Sequence, residues 1–298
     1  MTVVVQGRMS SIGGMEKIKL VSIYVSHFSD EFINKFGLNH KNELGDVVYV
    51  INSSTAASEI DASLGFQVIN INKNIGFSAA NNIGINHGLK SDPDYILIIN
   101  PDISLPSKWL ANVTNIITDP RYSGVGIFTV PLLGYDFIKD EPNGVLDSAG
   151  IRHTWYGRWY DVSQGDDISS LNMELAPYEV QAACGALMLV KKDVALELLD
   201  KDGYVFNESY FMYKEDVELS IRIRRLGKNI LMIPAAPAFH CRGWAKDRAD
   251  SPYWARELSA RNELKMHLKY CWRFLPYSIL KYLYVRFCEG FILKIYKK

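Results

Sequence analysis

Three groups of polar residues close apolar runs in this chain, and each is of a type that handles phosphate, metal or protons. Asp102 follows Tyr95-Ile-Leu-Ile-Ile99 through Asn100-Pro101, so a short buried strand would present a carboxylate at a sheet edge, a place suited to a divalent cation and a diphosphate. Glu215 and Asp216 follow Phe211-Met-Tyr-Lys214 and open a helix-like stretch. Adjacent helical residues point about 100° apart, which lets one acid face a cleft as a general base while the other pairs with Lys214 or Arg222. His240 closes another apolar run, and beside a metal on Asp102 it becomes a further ligand. Each also has an ordinary role. An Asp after a strand and a proline is a common turn former, acids in a first helical turn complement the dipole, and a strand-end histidine is commonly buried and hydrogen-bonded. Arg242, Arg248 and Arg261 can bind phosphate or simply be solvated.

These residues need a scaffold that brings loop ends together. Strand-like runs at Lys19–Val25, Asp46–Ile51, Phe66–Ile71 and Tyr95–Ile99 alternate with helix-like segments, which predicts a parallel α/β sheet. Ligands in such sheets bind beyond the carboxyl ends of the strands, so Asn52, Asn74 and Asp102 are expected near one another. Between the third and fourth strands, Gly76 permits a tight turn and Ser78 is a candidate cap for a helix over Ala79–Leu89. The segment from Gly134 to Pro177 has little periodicity and reads as an irregular, substrate-facing excursion. Order returns as a strand over Ala182–Val190, helices over Lys192–Leu199 and Glu215–Leu226, and a strand over Asn229–Ile233. Cys241–Pro252 reads as a mobile loop, followed by helix from Tyr253 broken at Pro276.

Composition excludes several classes. The 298 residues carry zero net charge and 48% hydrophobic residues, which argues against disorder and against a general nucleic-acid binder. Four cysteines without a CxxC pair fit a reducing compartment, with the cytoplasm as the default. Residues 1–16 read as an extension without a signal-peptide pattern, and no stretch is long and uncharged enough to span a bilayer. Leu280, Leu283, Tyr284, Phe287 and Phe291 nonetheless fall on one helical stripe near Lys294, Lys297 and Lys298. Peripheral contact with the inner face of the cytoplasmic membrane and packing on the main domain both fit that stripe. Trp155, Tyr156, Trp159 and Tyr160, interleaved with Arg152, His153 and Arg158, suit either sugar rings or a small hydrophobic cluster.

Asn74-Ile-Gly-Phe-Ser-Ala-Ala-Asn-Asn-Ile-Gly, Asn100-Pro-Asp102, and Cys184-Gly-Ala-Leu-Met-Leu followed by Phe211-Met-Tyr-Lys-Glu-Asp-Val-Glu-Leu together resemble the family 2 glycosyltransferases of GT-A fold, in their bacterial rhamnosyltransferase-like branch. Asp147-Ser-Ala-Gly150 and Gly165 resemble the sugar-side region of that branch, less specifically. The resemblance covers roughly Ile18 to His240. It implies a GT-A mixed sheet flanked by helices over 17–245, followed by a C-terminal helical extension over 246–298, for which membrane association and packing on the domain both stay open. It also implies an inverting sugar transfer, most directly of rhamnose from dTDP-rhamnose onto a glycan or lipid-linked acceptor in bacterial surface polysaccharide (O-antigen) biosynthesis at the cell envelope. By this resemblance Asp216 is the catalytic base, supported by Glu215. Asp102 holds Mn²⁺ or Mg²⁺ with His240, and Asn100 stands where the family has its first acid. Asn52, Ser54, Asn74, Gly76 and Gly185 lie against the nucleotide-sugar. The family's base-contacting Asp is Ile51 here, which leaves UDP-sugars open as donors and a non-catalytic GT-A-like binding module as the rival from another class.

Overall fold

A computed structural model describes residues 18–241 and 251–289. The arginines at 242 and 248, the 1–16 extension, most of the expected 241–252 loop and the terminal lysines fall outside them.

The first half is a run of β/α units. Strands β1 (Leu20–Ser26), β2 (Val47–Asn52), β3 (Gln67–Asn70) and β4 (Tyr95–Ile99) alternate with helices α1 (Asp30–His40) and α2 (Phe77–Gly88). β1 pairs in parallel with both β2 and β4, and β2 with β3. The expected parallel sheet is therefore present. All five residues of β4 are buried, because a parallel strand is covered by helices on both faces and has no polar side to show. Helix α2 lies tight against β1: a Cβ at Gly88 would meet Val21 Cγ1 at 2.8 Å.

After β4 the chain adds β5 (Ile103–Ser104), α3 (Trp109–Ile117), β6 (Val125–Thr129), β7 (Leu132–Asp136) and β8 (Glu141–Ser148). Two short strands, β9 (Ile151–His153) and β10 (Trp159–Asp161), form a hairpin, and β11 (Tyr178–Glu179) follows. Then come β12 (Leu187–Lys191), α4 (Lys192–Asp202), α5 (Glu215–Arg225), β13 (Asn229–Met232) and β14 (Ala238–His240). The main sheet is mixed, in the order β11-β13-β6-β12-β4-β1-β2-β3, with β12 antiparallel to β4 and β6. A second sheet, β5-β14-β7-β8, stands beside it.

That second sheet corrects the expectation of an irregular excursion after Gly134. Its strand β8 runs from exposed to buried rather than alternating, so no period-2 signal marks it. Two helix boundaries also differ. Gly76 (φ 83°) is the N-cap of α2, and Ser78 lies inside the helix, donating its hydroxyl to the Tyr210 carbonyl at 2.5 Å. The C-terminal helices α6 (Tyr253–Tyr270) and α7 (Leu275–Leu283) part at Cys271, with Pro276 in the first turn of α7, where its missing N–H costs nothing. Helix α6 packs on α5 and its approach, with the Tyr270 hydroxyl donating to Glu218 (2.5 Å) and Lys265 Nζ to the Ser209 carbonyl (3.0 Å).

Candidate functional site

The ends of β1, β2 and β4 and the start of α2 surround a cavity of about 290 Å³ lined by His27, Ser53, Asn74, Gly76, Asn100, Asp102, Met212 and Cys241, among others. Its size is at the lower bound for small-molecule pockets. His27 Nδ1 lies 2.8 Å from the Ser53 carbonyl and Nε2 lies 3.4 Å from Asn74 Nδ2. The ring therefore donates from Nδ1 and accepts at Nε2. The Asn74 side-chain oxygen in turn accepts the Gly76 N–H at 3.0 Å, fixing the turn into α2. A side chain at Gly76 would meet the Phe211 carbonyl at 2.5 Å; that carbonyl accepts the Phe77 N–H at 2.7 Å. Asn82 clamps the same region, exchanging hydrogen bonds with Phe206 at 2.8 and 2.9 Å. The Asn-rich helix thus ties the cavity wall to the segment that leads into the acid pair.

Asn52 and Ser54 sit differently. Both are buried, and the Ser54 hydroxyl donates to Asn52 Oδ1 at 2.7 Å while Asn52 Nδ2 donates to Ala56 and Asn70 at 2.9 Å. They brace the loop, and Ser53 between them reaches the cavity. Ile51 is fully buried in the core.

Asp102, His240 and Asp147 form a chain across the second sheet. His240 pairs with Ile103 of β5 and with Gly134 of β7, so its ring stands beside the turn that carries Asp102. Nε2 is 3.3 Å from Asp102 Oδ2, and Nδ1 donates to Asp147 Oδ2 at 2.6 Å. Asp147 occupies a register irregularity: Leu132 pairs with Ser148 and Leu133 with Leu146, leaving it the extra residue of a bulge. Bulges re-aim side chains, and this one turns a carboxylate onto the imidazole. Burial works against charge on the ring, but Asp102 and Asp147 outweigh it and push His240 up to about 9.

The donor set tests a metal reading. A carboxylate oxygen and an imidazole nitrogen lie 3.3 Å apart, a donor set that would suit a divalent cation. A metal-bound histidine typically donates its other N–H to a carboxylate, as His240 does to Asp147. Among the described residues no group of three or more His, Cys, Asp or Glu could hold a metal by itself. The pair therefore fits Mn²⁺ or Mg²⁺ that also draws on phosphate oxygens and water.

The acids 215 and 216 begin α5; Glu215 is buried and Asp216 half-buried, and neither is among the residues that line the cavity. Asp216 Oδ2 accepts the Gly185 N–H at 3.1 Å and Oδ1 accepts the Val217 N–H at 2.8 Å. A Cβ at Gly185 would sit 3.2 Å from Asp216 Cβ, so the glycine lets strand β12 enter this close. One residue on, the Ala186 carbonyl accepts the Asn100 N–H at 2.9 Å. Gly185-Ala186 therefore joins the base candidate to the loop of Asp102. Burial raises both carboxyls; Lys214 and the Gly185 and Val217 amides oppose it at Asp216, where Asp161 of the β9–β10 hairpin adds a smaller upward push, and the Asp216 charge raises Glu215 further. Glu215 Oε2 has no hydrogen-bond partner among the described residues. Arg222 turns instead to Glu218 (2.9 Å) and Asp202 (3.2 Å).

The expected aromatic group divides. Trp159 is buried against Val217 and Met266, and Tyr156 packs on Tyr277, with ring centroids 5.0 Å apart. Trp155 is 89% exposed. Residues absent from the sequence-based site, His27, Ser53, Met212, Cys241, Asp147 and Asp161, come from six separate segments. Of these, only Asp147 and Met212 lay in motifs singled out in the sequence.

No family model matches the chain. It is 25% identical over 240 residues to the low-salt glycan biosynthesis hexosyltransferase Agl10 of Haloferax volcanii, covering 78% of this chain and 70% of that protein. It is 27% identical over 179 residues to the rhamnosyltransferase WbbL of Escherichia coli, covering 55% of this chain and 60% of that one. The fold matches a crystal structure of GalNAc-T7 with UDP, GalNAc and Mn²⁺ at a TM-score of 0.58 and 15% identity, covering 84% of this chain. The chain spans about half the length of that solved structure (48%).

Proposed function

We propose that this chain, which is similar to a hexosyltransferase and a rhamnosyltransferase and shares its fold with a solved GT-A enzyme, is a family 2 glycosyltransferase that moves a sugar, with inversion, from a nucleotide diphosphate donor to a glycan or lipid-linked acceptor. The observation that carries this reading is the junction at Gly185-Ala186, which hydrogen-bonds both the half-buried Asp216 carboxylate and the loop of Asp102, a residue that lines the cavity. Asp216, held by two amides, takes the proton of the acceptor hydroxyl as it attacks the anomeric carbon. Asp102 and His240 hold a divalent cation, which when bound supplies charge stabilisation to the departing diphosphate. Asn74, Gly76 and His27 border the nucleotide, and Gly185 leaves space for both substrates. Rhamnose from dTDP-rhamnose is the proposed donor sugar, supported by the likeness to a rhamnosyltransferase. Calorimetry of dTDP and UDP with Mn²⁺ tests it: preference for dTDP is expected, and a strong preference for UDP overturns the donor assignment.

A second reading, a GT-A-like module that binds without turnover, draws on Ile51, whose burial removes it from base recognition, and on Asn100 in place of an acid. The raised carboxyls of Glu215 and Asp216 favour catalysis, since such perturbed pairs are costly and cluster at functional sites.

The raised acid pair gives a pH expectation. A base works deprotonated, so turnover is present above the raised value and falls as pH drops through it, placing the acid limb of kcat/KM above the ordinary carboxylate range of about 4. An acid limb at the ordinary carboxylate value would exclude a raised base.

A third expectation concerns the membrane. No helix among the described residues is long and apolar enough to cross one. Helix α7 and the π-turn after it (Tyr284–Glu289) bury Ser278 and Val285 on one side while Leu280, Leu283, Tyr284 and Phe287 stand exposed on the other. Such a face beside a lysine-rich terminus suits an anionic lipid surface, where lipid-linked acceptors reside. Vesicles containing anionic lipid should retain the protein in flotation at low salt and lose it at high salt. Equal flotation of a Leu280→Gln/Phe287→Gln variant removes the idea.

A further inference from the structure

The turn ahead of the acid pair is held from outside the nucleotide-binding half of the fold. Tyr213 and Lys214 both have positive φ, 69° and 70°, a region that residues with a Cβ rarely occupy in succession. Such conformations persist where the surroundings over-determine them, and they cluster at functional sites. Lys214 is also the N-cap of α5 and makes no side-chain cap, so the direction in which α5 starts is set by this turn. So is the direction in which Glu215 and Asp216 point.

Asn262 supplies the restraint. It lies in the middle of α6, 2% exposed, and its Nδ2 donates to the Met212 and Tyr213 carbonyls at 2.9 Å each. One amide group with two hydrogens thereby spans two successive carbonyls, which a single hydroxyl cannot do. On the far side, the Phe211 carbonyl is held by the Phe77 N–H at the mouth of the cavity. The turn is thus pinned between the donor side and the C-terminal helices.

We propose that Asn262 is a positioning residue for Asp216, so that α6 is part of the active-site scaffold. This rests on Asp216 being the base. Misplacing a reacting group by about 1 Å can cost on the order of 10²-fold in rate, and loss of both hydrogen bonds frees the turn to relax toward ordinary φ.

The test is a double-mutant cycle. Asn262→Ala is made alone and in an Asp216→Asn background, with turnover read as Mn²⁺-dependent release of nucleoside diphosphate and nucleotide affinity read by calorimetry. Alone, it should lower kcat by roughly 10- to 100-fold and leave nucleotide affinity within about twofold. In the Asp216→Asn background the further loss should be under about twofold, because residues acting as a unit are non-additive. A merely structural role predicts instead that the two losses multiply, and that result overturns the proposal, as does an unchanged kcat in folded Asn262→Ala. Should Asn262→Ala not fold, Asn262→Ser, which keeps one donor, goes through the same cycle under the same criteria. An Asp216→Asn enzyme at near wild-type rate would sink the base assignment itself. An inactive Asp216→Asn with a fully active Asn262→Ala sinks only the positioning role.

Discussion

Asp216→Asn should lower turnover about 10²- to 10⁴-fold, the usual cost of removing a general base, while nucleotide binding persists. The expectation follows from where the carboxylate is held. Its two oxygens accept from Gly185 and Val217, so the side chain is oriented before substrate arrives. An amide has one oxygen, so one of those N–H groups loses its acceptor. A stability loss of about 1–3 kcal/mol accompanies the kinetic effect, and thermal melts must therefore be run beside the rates. Glu215→Gln should cost less in turnover, since Glu215 supports the base rather than taking the proton. Reversal of the two effects would exchange the assigned roles.

Asp102→Ala should abolish Mn²⁺-dependent donor binding without unfolding the protein. Even outer-shell changes at metal sites cost about 10- to 100-fold in affinity, and Asp102 is the proposed direct ligand. Its backbone stays anchored, because its carbonyl accepts the Cys241 N–H at 2.9 Å. His240→Ala should harm metal binding less, since phosphate oxygens and water can take its place, but it should harm stability more. In the metal-free protein it removes the cationic ring between Asp102 and Asp147. The pH dependence has a definite sign. The folded value is raised to about 9 from the ordinary 6.5, so the ring's contribution is fully present below about 6.5 and is lost as pH rises through about 9. The melting-temperature gap between wild type and His240→Ala should shrink over that interval. Full activity in EDTA contradicts the metal assignment altogether.

Some of this was legible in the residues. Apolar runs such as Tyr95–Ile99 mark strands because a sheet covered on both faces leaves them no polar side, and Asp102 and Glu215-Asp216 stand out as charges at the ends of such runs. Asp147 was visible only as part of a motif. Its approach to His240 depends on a bulge in β8, and a strand whose burial grows along its length shows no alternation. Asn262 carries no local signal at all: a polar residue in an 18-residue helix looks solvent-facing until the helix is seen docked on residues 212 and 213. Ser78 and Pro276 misled for a shared reason. Each is a boundary residue by type, yet Gly76 takes the left-handed entry to α2 and a proline is welcome in a first helical turn.

The most direct test is incubation of the wild-type protein with dTDP-rhamnose and a panel of UDP-sugars in Mn²⁺, with release of nucleoside diphosphate measured in the presence and absence of EDTA. Release from one donor, fastest for dTDP-rhamnose and abolished by EDTA, is the predicted result. No release from any donor, with Mn²⁺-dependent nucleotide binding intact, would contradict catalysis and leave a binding module in its place.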